Sequence, residues 1–118
     1  MLNVLYIDDE PINLNIFELA FRKDFNIYKS ESPAKGIGIF NEENIDIVIT
    51  DLKMPEMNGI EFIRKIKAIN PSKKCILLTA YYEPSLANDP ELQSIIFKYI
   101  VKPFNKQELK QIILDACP

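Results

Sequence analysis

Five short runs of aliphatic and β-branched residues recur along this chain, at residues 4–7, 25–28, 45–50, 75–79 and 99–101, with a helix-length segment after each. Gaps of that length are crossovers rather than hairpins, so the pattern predicts βαβ units and a parallel sheet. Four of the runs are nearly continuous, as in strands covered on both faces, whereas Phe25-Asn26-Ile27-Tyr28 alternates and suits a sheet edge. Leu109, Ile112, Ile113 and Ala116 follow a helical i, i+3, i+4, i+7 spacing, and Phe62, Ile63, Ile66 and Ile69 form a second stripe. Ser32-Pro33 and Asn105 with Glu108 mark helix starts independently of hydrophobicity. The expected architecture is α/β, a doubly wound five-stranded parallel sheet with helices on both faces, and residues 1–118 read as one domain. The segment 81–89, with Pro84 and Asn88-Asp89-Pro90, reads as a loop.

With 47% hydrophobic residues, a chain of 118 can bury a core without disulfides or a structural metal. Fourteen basic against 17 acidic residues leave a net charge of -3, and no basic run exceeds two residues, which argues against direct binding of nucleic acid or an anionic membrane. Cys75 lies in an apolar run and Cys117 beside the C-terminus, which does not resemble a disulfide framework and fits a reducing cytoplasm. The N-terminus enters a strand directly, and no apolar run approaches the ~20 residues of a membrane span. There is no histidine, so any chemistry relies on carboxylates, hydroxyls and lysines.

Those groups stand at strand ends: Asp8 and Asp9 after the first run, Asp51 after the third, Thr79 closing the fourth and Lys102 after the fifth. In a parallel sheet all of these ends share one edge. In the flavodoxin-like order 2-1-3-4-5 the topological switch lies between strands one and three, setting Asp8 and Asp9 opposite Asp51. Three clustered carboxylates repel one another unless a hard divalent cation takes their oxygens, which points to Mg²⁺. A carboxylate can attack a phosphoryl group, and Asp51 is the expected nucleophile because the adjacent Asp8 and Asp9 suit ligation. Lys102 supplies a mobile positive charge that pairs first with Asp51, and Thr79 supplies one hydroxyl donor.

These residues resemble the receiver domain of two-component response regulators over essentially the whole chain. Five separated features carry the likeness: Asp8-Asp9 after an opening strand, Asp51-Leu52-Lys53-Met54-Pro55 with Gly59, Thr79-Ala80, Tyr99 three residues before Lys102, and Lys102-Pro103-Phe104. The resemblance implies a phosphoryl-accepting switch rather than an enzyme: Asp51 would take phosphate from a phosphohistidine on a sensor histidine kinase or a histidine phosphotransfer protein. It implies metal ligation by Asp8, Asp9, Asp51 and the Lys53 backbone carbonyl, and a cis Lys102–Pro103 peptide. It implies further that Thr79 moves towards the phosphoryl group, that Tyr99 follows, and that the face of the fourth helix, fifth strand and fifth helix changes. That face would serve an output domain or protein target in a monomer or a phosphorylation-dependent homodimer.

The chain departs from the family pattern in two places. Ile95, Ile96 and Phe97 replace the small residues common before the switch aromatic, and Asn88 with Glu91 resembles a capping box around Pro90, so the fourth helix is expected to start late and be short. Lys53 and Tyr81 are large residues at positions that the family resemblance sets beside the water approach to Asp51, which predicts slow loss of the phosphoryl group. Each motif also has a plainer reading: Asp8-Asp9-Glu10 as a helix cap, Asp51–Pro55 as a polar loop, Thr79 as a strand-end hydroxyl and Tyr99 as a core aromatic. The competing functions are a receiver-like interaction module independent of phosphorylation, a haloacid-dehalogenase-type phosphatase, and a flavodoxin-like carrier. The phosphatase pattern wants an acid where Lys53 stands, and the carrier wants a glycine- and hydroxyl-rich phosphate loop after the first strand.

Overall fold

The computed structural model describes residues 1–118 and follows the alternation expected from the apolar runs. In chain order the elements are β1 (Asn3–Ile7), α1 (Pro11–Phe21), β2 (Asn26–Ser30), α2 (Pro33–Glu42), β3 (Ile47–Thr50), α3 (Gly59–Ile69), β4 (Lys74–Thr79), α4 (Pro84–Ala87), α5 (Pro90–Ile95), β5 (Lys98–Val101) and α6 (Lys106–Ala116). All five strands are parallel, in the order β2-β1-β3-β4-β5.

Alternation along each strand sends successive side chains to opposite faces and builds two cores. Val4, Tyr6, Ile47, Ile49, Ile76 and Leu78 meet Leu14, Phe17 and Phe21 of α1 and Leu109, Ile113 and Ala116 of α6. Their neighbours Leu5, Ile7, Val48, Cys75 and Leu77 meet Phe40 of α2 and Phe62, Ile63 and Ile66 of α3. With both faces covered, the strand ends are left as the place where polar groups can gather.

Several boundaries differ from the sequence reading. β2 is an edge strand as expected but begins after Phe25, which instead packs on Phe21 with 6.0 Å between ring centroids. β3 starts at Ile47, while β4 and β5 begin one residue early. β5 is the opposite edge, as the order 2-1-3-4-5 requires, with Lys98 and Val101 exposed.

The fourth helix is short and late, and it is also broken. Residues 84–87 of the expected loop form the single turn α4; Pro90 has no N–H to continue that helix, and a new one starts there. Its cap is Asp89, not Asn88: Asp89 Oδ1 accepts from the backbone N–H of Glu91 (2.8 Å) and Leu92 (3.2 Å), while Asn88 ends α4. Ser32 and Asn105 cap α2 and α6 as expected. The reciprocal capping box belongs to α3, where Asn58 and Glu61 bond each other's backbone.

Candidate phosphoryl-acceptor site

Asp8, Asp9 and Asp51 converge beyond β1 and β3, each with one carboxylate oxygen within 4.8 Å of the others. The backbone enforces this meeting, because Asp51 donates its N–H to the Ile7 carbonyl (2.9 Å) and so extends the β1–β3 pairing by one residue. Gly59, the first residue of α3, donates to the Leu52 carbonyl (2.8 Å) and lies so close to Asp51 that a Cβ there would meet the Asp51 carbonyl oxygen at 2.1 Å. The capped start of α3 thus closes tightly on the loop that follows β3. Three hard oxygen donors in one partly buried cluster fit a divalent metal of the Mg²⁺ kind.

Asp8 is fully buried and completely bonded: its Oδ1 accepts from the Glu10 N–H (3.0 Å), and its Oδ2 accepts from the Tyr6 hydroxyl (2.7 Å) and from Lys102 Nζ (2.8 Å). Lys102 lies 3.6 Å from Asp51 Oδ1, so its closer partner is Asp8, where pairing with Asp51 was expected. The Lys102–Pro103 peptide is cis, and the Lys102 N–H bonds the Thr79 carbonyl at 2.7 Å. Glu10, rather than Asp8 or Asp9, is the N-cap of α1, and its side chain makes no capping bond.

Burial raises the pKa of Asp51, Lys102 opposes this, and the charge of Asp8 adds to the rise. Folding therefore disfavours ionised Asp51. The stabilising share is present in full below the pKa of the unfolded carboxyl and is lost as pH rises through the higher native value. In metal-free buffer at neutral pH, Asp51→Asn should melt higher than wild type, by the equivalent of about 1 kcal/mol. The gap should close as pH falls into the carboxyl range and should shrink when Mg²⁺ is added; a calorimetric series over pH checks this. Tyr6 is held protonated, as burial and the adjacent Asp8 charge push its hydroxyl far above the ordinary phenol range.

Thr79 is buried at the end of β4, where its Oγ1 accepts weakly from the Tyr81 N–H at 3.4 Å. Tyr99 stands apart from the carboxylates: its hydroxyl donates to the Tyr81 carbonyl (2.9 Å) and accepts from the Glu83 N–H (3.1 Å). It therefore grips the loop that follows Thr79. The Lys53 side chain leans towards Glu83 Oε1 at 3.4 Å, and no N–H of the chain is bonded to the Lys53 carbonyl. Tyr81 is largely exposed.

Two contributors are not evident from the motifs alone. Tyr6 lies two residues before Asp8, hence on the same face of β1, and a phenol in an otherwise aliphatic strand is the signal for it. Glu83 carries no such signal, because its role depends on the fold of the 80–83 loop.

Residues 4–114 match the family described as the response regulator receiver domain. Transcriptional regulatory protein GlrR of Escherichia coli K12 is 33% identical over 97% of this chain, which spans only 26% of that relative's length. The response regulator TrrA of Thermotoga maritima, solved with Mg²⁺–BeF, is 30% identical with a TM-score of 0.87, covering 98% of this chain and 99% of TrrA. A second structure, of TrrA in complex with the histidine kinase ThkA, matches at 29% identity and a TM-score of 0.88, covering 100% of both chains. Sequence and sheet order agree, and the chain belongs to the receiver domains of two-component response regulators.

Proposed function

We propose that this domain is a phosphoryl-accepting switch in which Asp51 takes phosphate from a phosphohistidine. The observation that carries the reading is the meeting of three carboxylates and one lysine from three separate segments at the carboxyl edge of the sheet. In the reaction an Asp51 oxygen attacks phosphorus, the new O–P bond forms as the N–P bond breaks, and the imidazole leaves with the electron pair. Asp8, Asp9, Asp51 and the Lys53 carbonyl would hold Mg²⁺, which when bound neutralises charge on the phosphoryl oxygens. Lys102 pairs with one phosphoryl oxygen and the Thr79 hydroxyl donates to another. No turnover of a separate substrate is required.

The consequence travels through backbone bonds. Thr79 Oγ1 accepts from the Tyr81 N–H, so its move towards the phosphoryl group would release a bond to the loop that Tyr99 grips at Tyr81 and Glu83. The broken α4–α5 segment, β5 and α6 would then form the face offered to an output domain, a protein target or a second copy. The phosphoryl group biases an existing equilibrium between two arrangements of that face.

A protein donor must reach the same mouth. Ile12, Ile16 and Leu19 are exposed at i, i+4, i+7 on α1, and Ile16 also borders a hollow of about 470 Å³ lined by Tyr6, Lys102, Pro103 and Phe104. This apolar surface suits the helical, phosphohistidine-bearing part of a histidine kinase or phosphotransfer protein. Ile16→Glu should slow labelling by such a donor by about ten-fold or more, a loss of at least 1.4 kcal/mol, and leave labelling by acetyl phosphate unchanged. Equal slowing with both donors would remove the docking role.

Lys53→Asn and Tyr81→Ala should each shorten the life of the phosphorylated state, because both are large residues at positions that the family resemblance sets beside the approach of water to Asp51. An unchanged dephosphorylation rate in both would sink that idea. The function itself is tested by titrating beryllium fluoride, a phosphoryl mimic, in the presence and absence of Mg²⁺ while following tyrosine fluorescence. Saturation that requires both components supports the reading; no response at any concentration favours a module that works without phosphate.

A further inference from the structure

In the proposed reaction Lys102 leaves its resting partner for a phosphoryl oxygen, and the geometry around Asp8 shows what that movement requires. Lys102 Nζ sits 2.8 Å from Asp8 Oδ2 and 3.6 Å from Asp51 Oδ1. To pair with a group on Asp51 it must loosen its bond to Asp8, whose carboxylate is fully buried. A buried carboxylate oxygen stripped of its donor carries a penalty of kcal/mol size, and that penalty would oppose the lysine's departure.

The same Oδ2 already holds a second donor, the Tyr6 hydroxyl at 2.7 Å. Tyr6 cannot readily withdraw, because its ring is 1% exposed and packs on Phe17 with 4.3 Å between centroids. Phe17 is itself held between Phe21 and Phe104, and Phe104 belongs to the segment that carries Lys102. Glu10 N–H keeps the other Asp8 oxygen in place. Two fixed donors therefore remain on Asp8 whether or not the lysine is there.

We infer that Tyr6 is a positioning residue, whose hydroxyl holds the buried Asp8 carboxylate when Lys102 moves across to the phosphoryl group on Asp51. This rests on the phosphoryl-acceptor reading above and assigns the handover of the lysine to a side chain outside the motif. Without the hydroxyl, Lys102 becomes the main partner of Asp8 Oδ2 and is retained there. The phosphorylated arrangement is then weakened, although no atom of Tyr6 touches the phosphoryl group.

Tyr6→Phe keeps the ring and its packing and removes only the hydroxyl. With Mg²⁺ present, it should weaken the affinity for beryllium fluoride by about ten-fold, the effect of one hydrogen bond to a charged group. In a Lys102→Met background the same change should have no further effect on that affinity. An equal loss in both backgrounds would make Tyr6 a structural residue and overturn the inference, as would an unchanged affinity in the single variant. Failure of the wild type itself to bind would overturn the acceptor reading along with it. A second measurement needs no variant: in the wild-type complex the Tyr6 hydroxyl proton should remain visible by NMR as a slowly exchanging resonance. Its loss on loading with Mg²⁺ and beryllium fluoride would show that the hydroxyl leaves Asp8, contrary to the proposal.

Discussion

Gly59→Ala should cost about 3 kcal/mol of stability and also abolish the response to Mg²⁺ and beryllium fluoride. The added Cβ would lie 2.1 Å from the Asp51 carbonyl oxygen, 3.0 Å from its carbonyl carbon and 2.9 Å from Leu77 Cδ1. Leu77 could give by rotation, but the Asp51 backbone is fixed by its bond to Ile7, and Gly59 is tied to Leu52. Either α3 retreats from the sheet, exposing Phe62 and Ile63, or Asp51 shifts out of register with Asp8 and Asp9. Gly38 in α2 is the control: a Cβ there meets nothing within 4 Å, and Gly38→Ala should stabilise by about 0.5–1 kcal/mol through helix propensity alone. Thermal melts of the two variants, with the fluorescence titration, separate these outcomes; a Gly59→Ala protein that melts and binds like wild type would mean that α3 does not close on the acceptor loop.

Lys102→Met carries the second large effect. The side chain is 19% exposed and is the cation that compensates Asp8 and Asp51. Removing it leaves a buried carboxylate facing two others, a change expected to lower metal-free stability by about 3 kcal/mol. Mg²⁺ should restore part of this loss by supplying the missing positive charge. Phosphorylation by acetyl phosphate should still slow by about a hundred-fold, because no mobile cation then reaches the phosphoryl oxygens. Chemical denaturation with and without Mg²⁺, together with the labelling rate, checks both parts. Unchanged metal-free stability would show that the lysine's charge is not what holds the carboxylates together.

The parts of the fold legible in the sequence are those set by chain-wide regularities. Parallel strands share a direction, so Asp8, Asp9, Asp51, Thr79 and Lys102 at their ends had to approach one edge whatever the details of packing. What escaped depends on single-residue register or on tertiary position. Asn88 and Asp89 can both cap a helix, and the choice falls to Asp89 because Pro90 at the first helical position makes the residue before it the cap. The preference of Lys102 for Asp8 over Asp51 is a difference of 0.8 Å between two distances in one crevice, and side-chain identity does not encode it. Tyr6 was legible in principle from the two-residue spacing that places it beside Asp8.

The central claim is that Asp51 is the phosphoryl acceptor, and intact-mass spectrometry tests it most directly. Wild type and Asp51→Asn are incubated with acetyl phosphate, each with Mg²⁺ and with Mg²⁺ chelated. A single phosphoryl adduct that forms only on wild type and only with Mg²⁺ is the predicted result. An adduct that persists in Asp51→Asn, or a wild type that stays unmodified while Mg²⁺ is present, would contradict it.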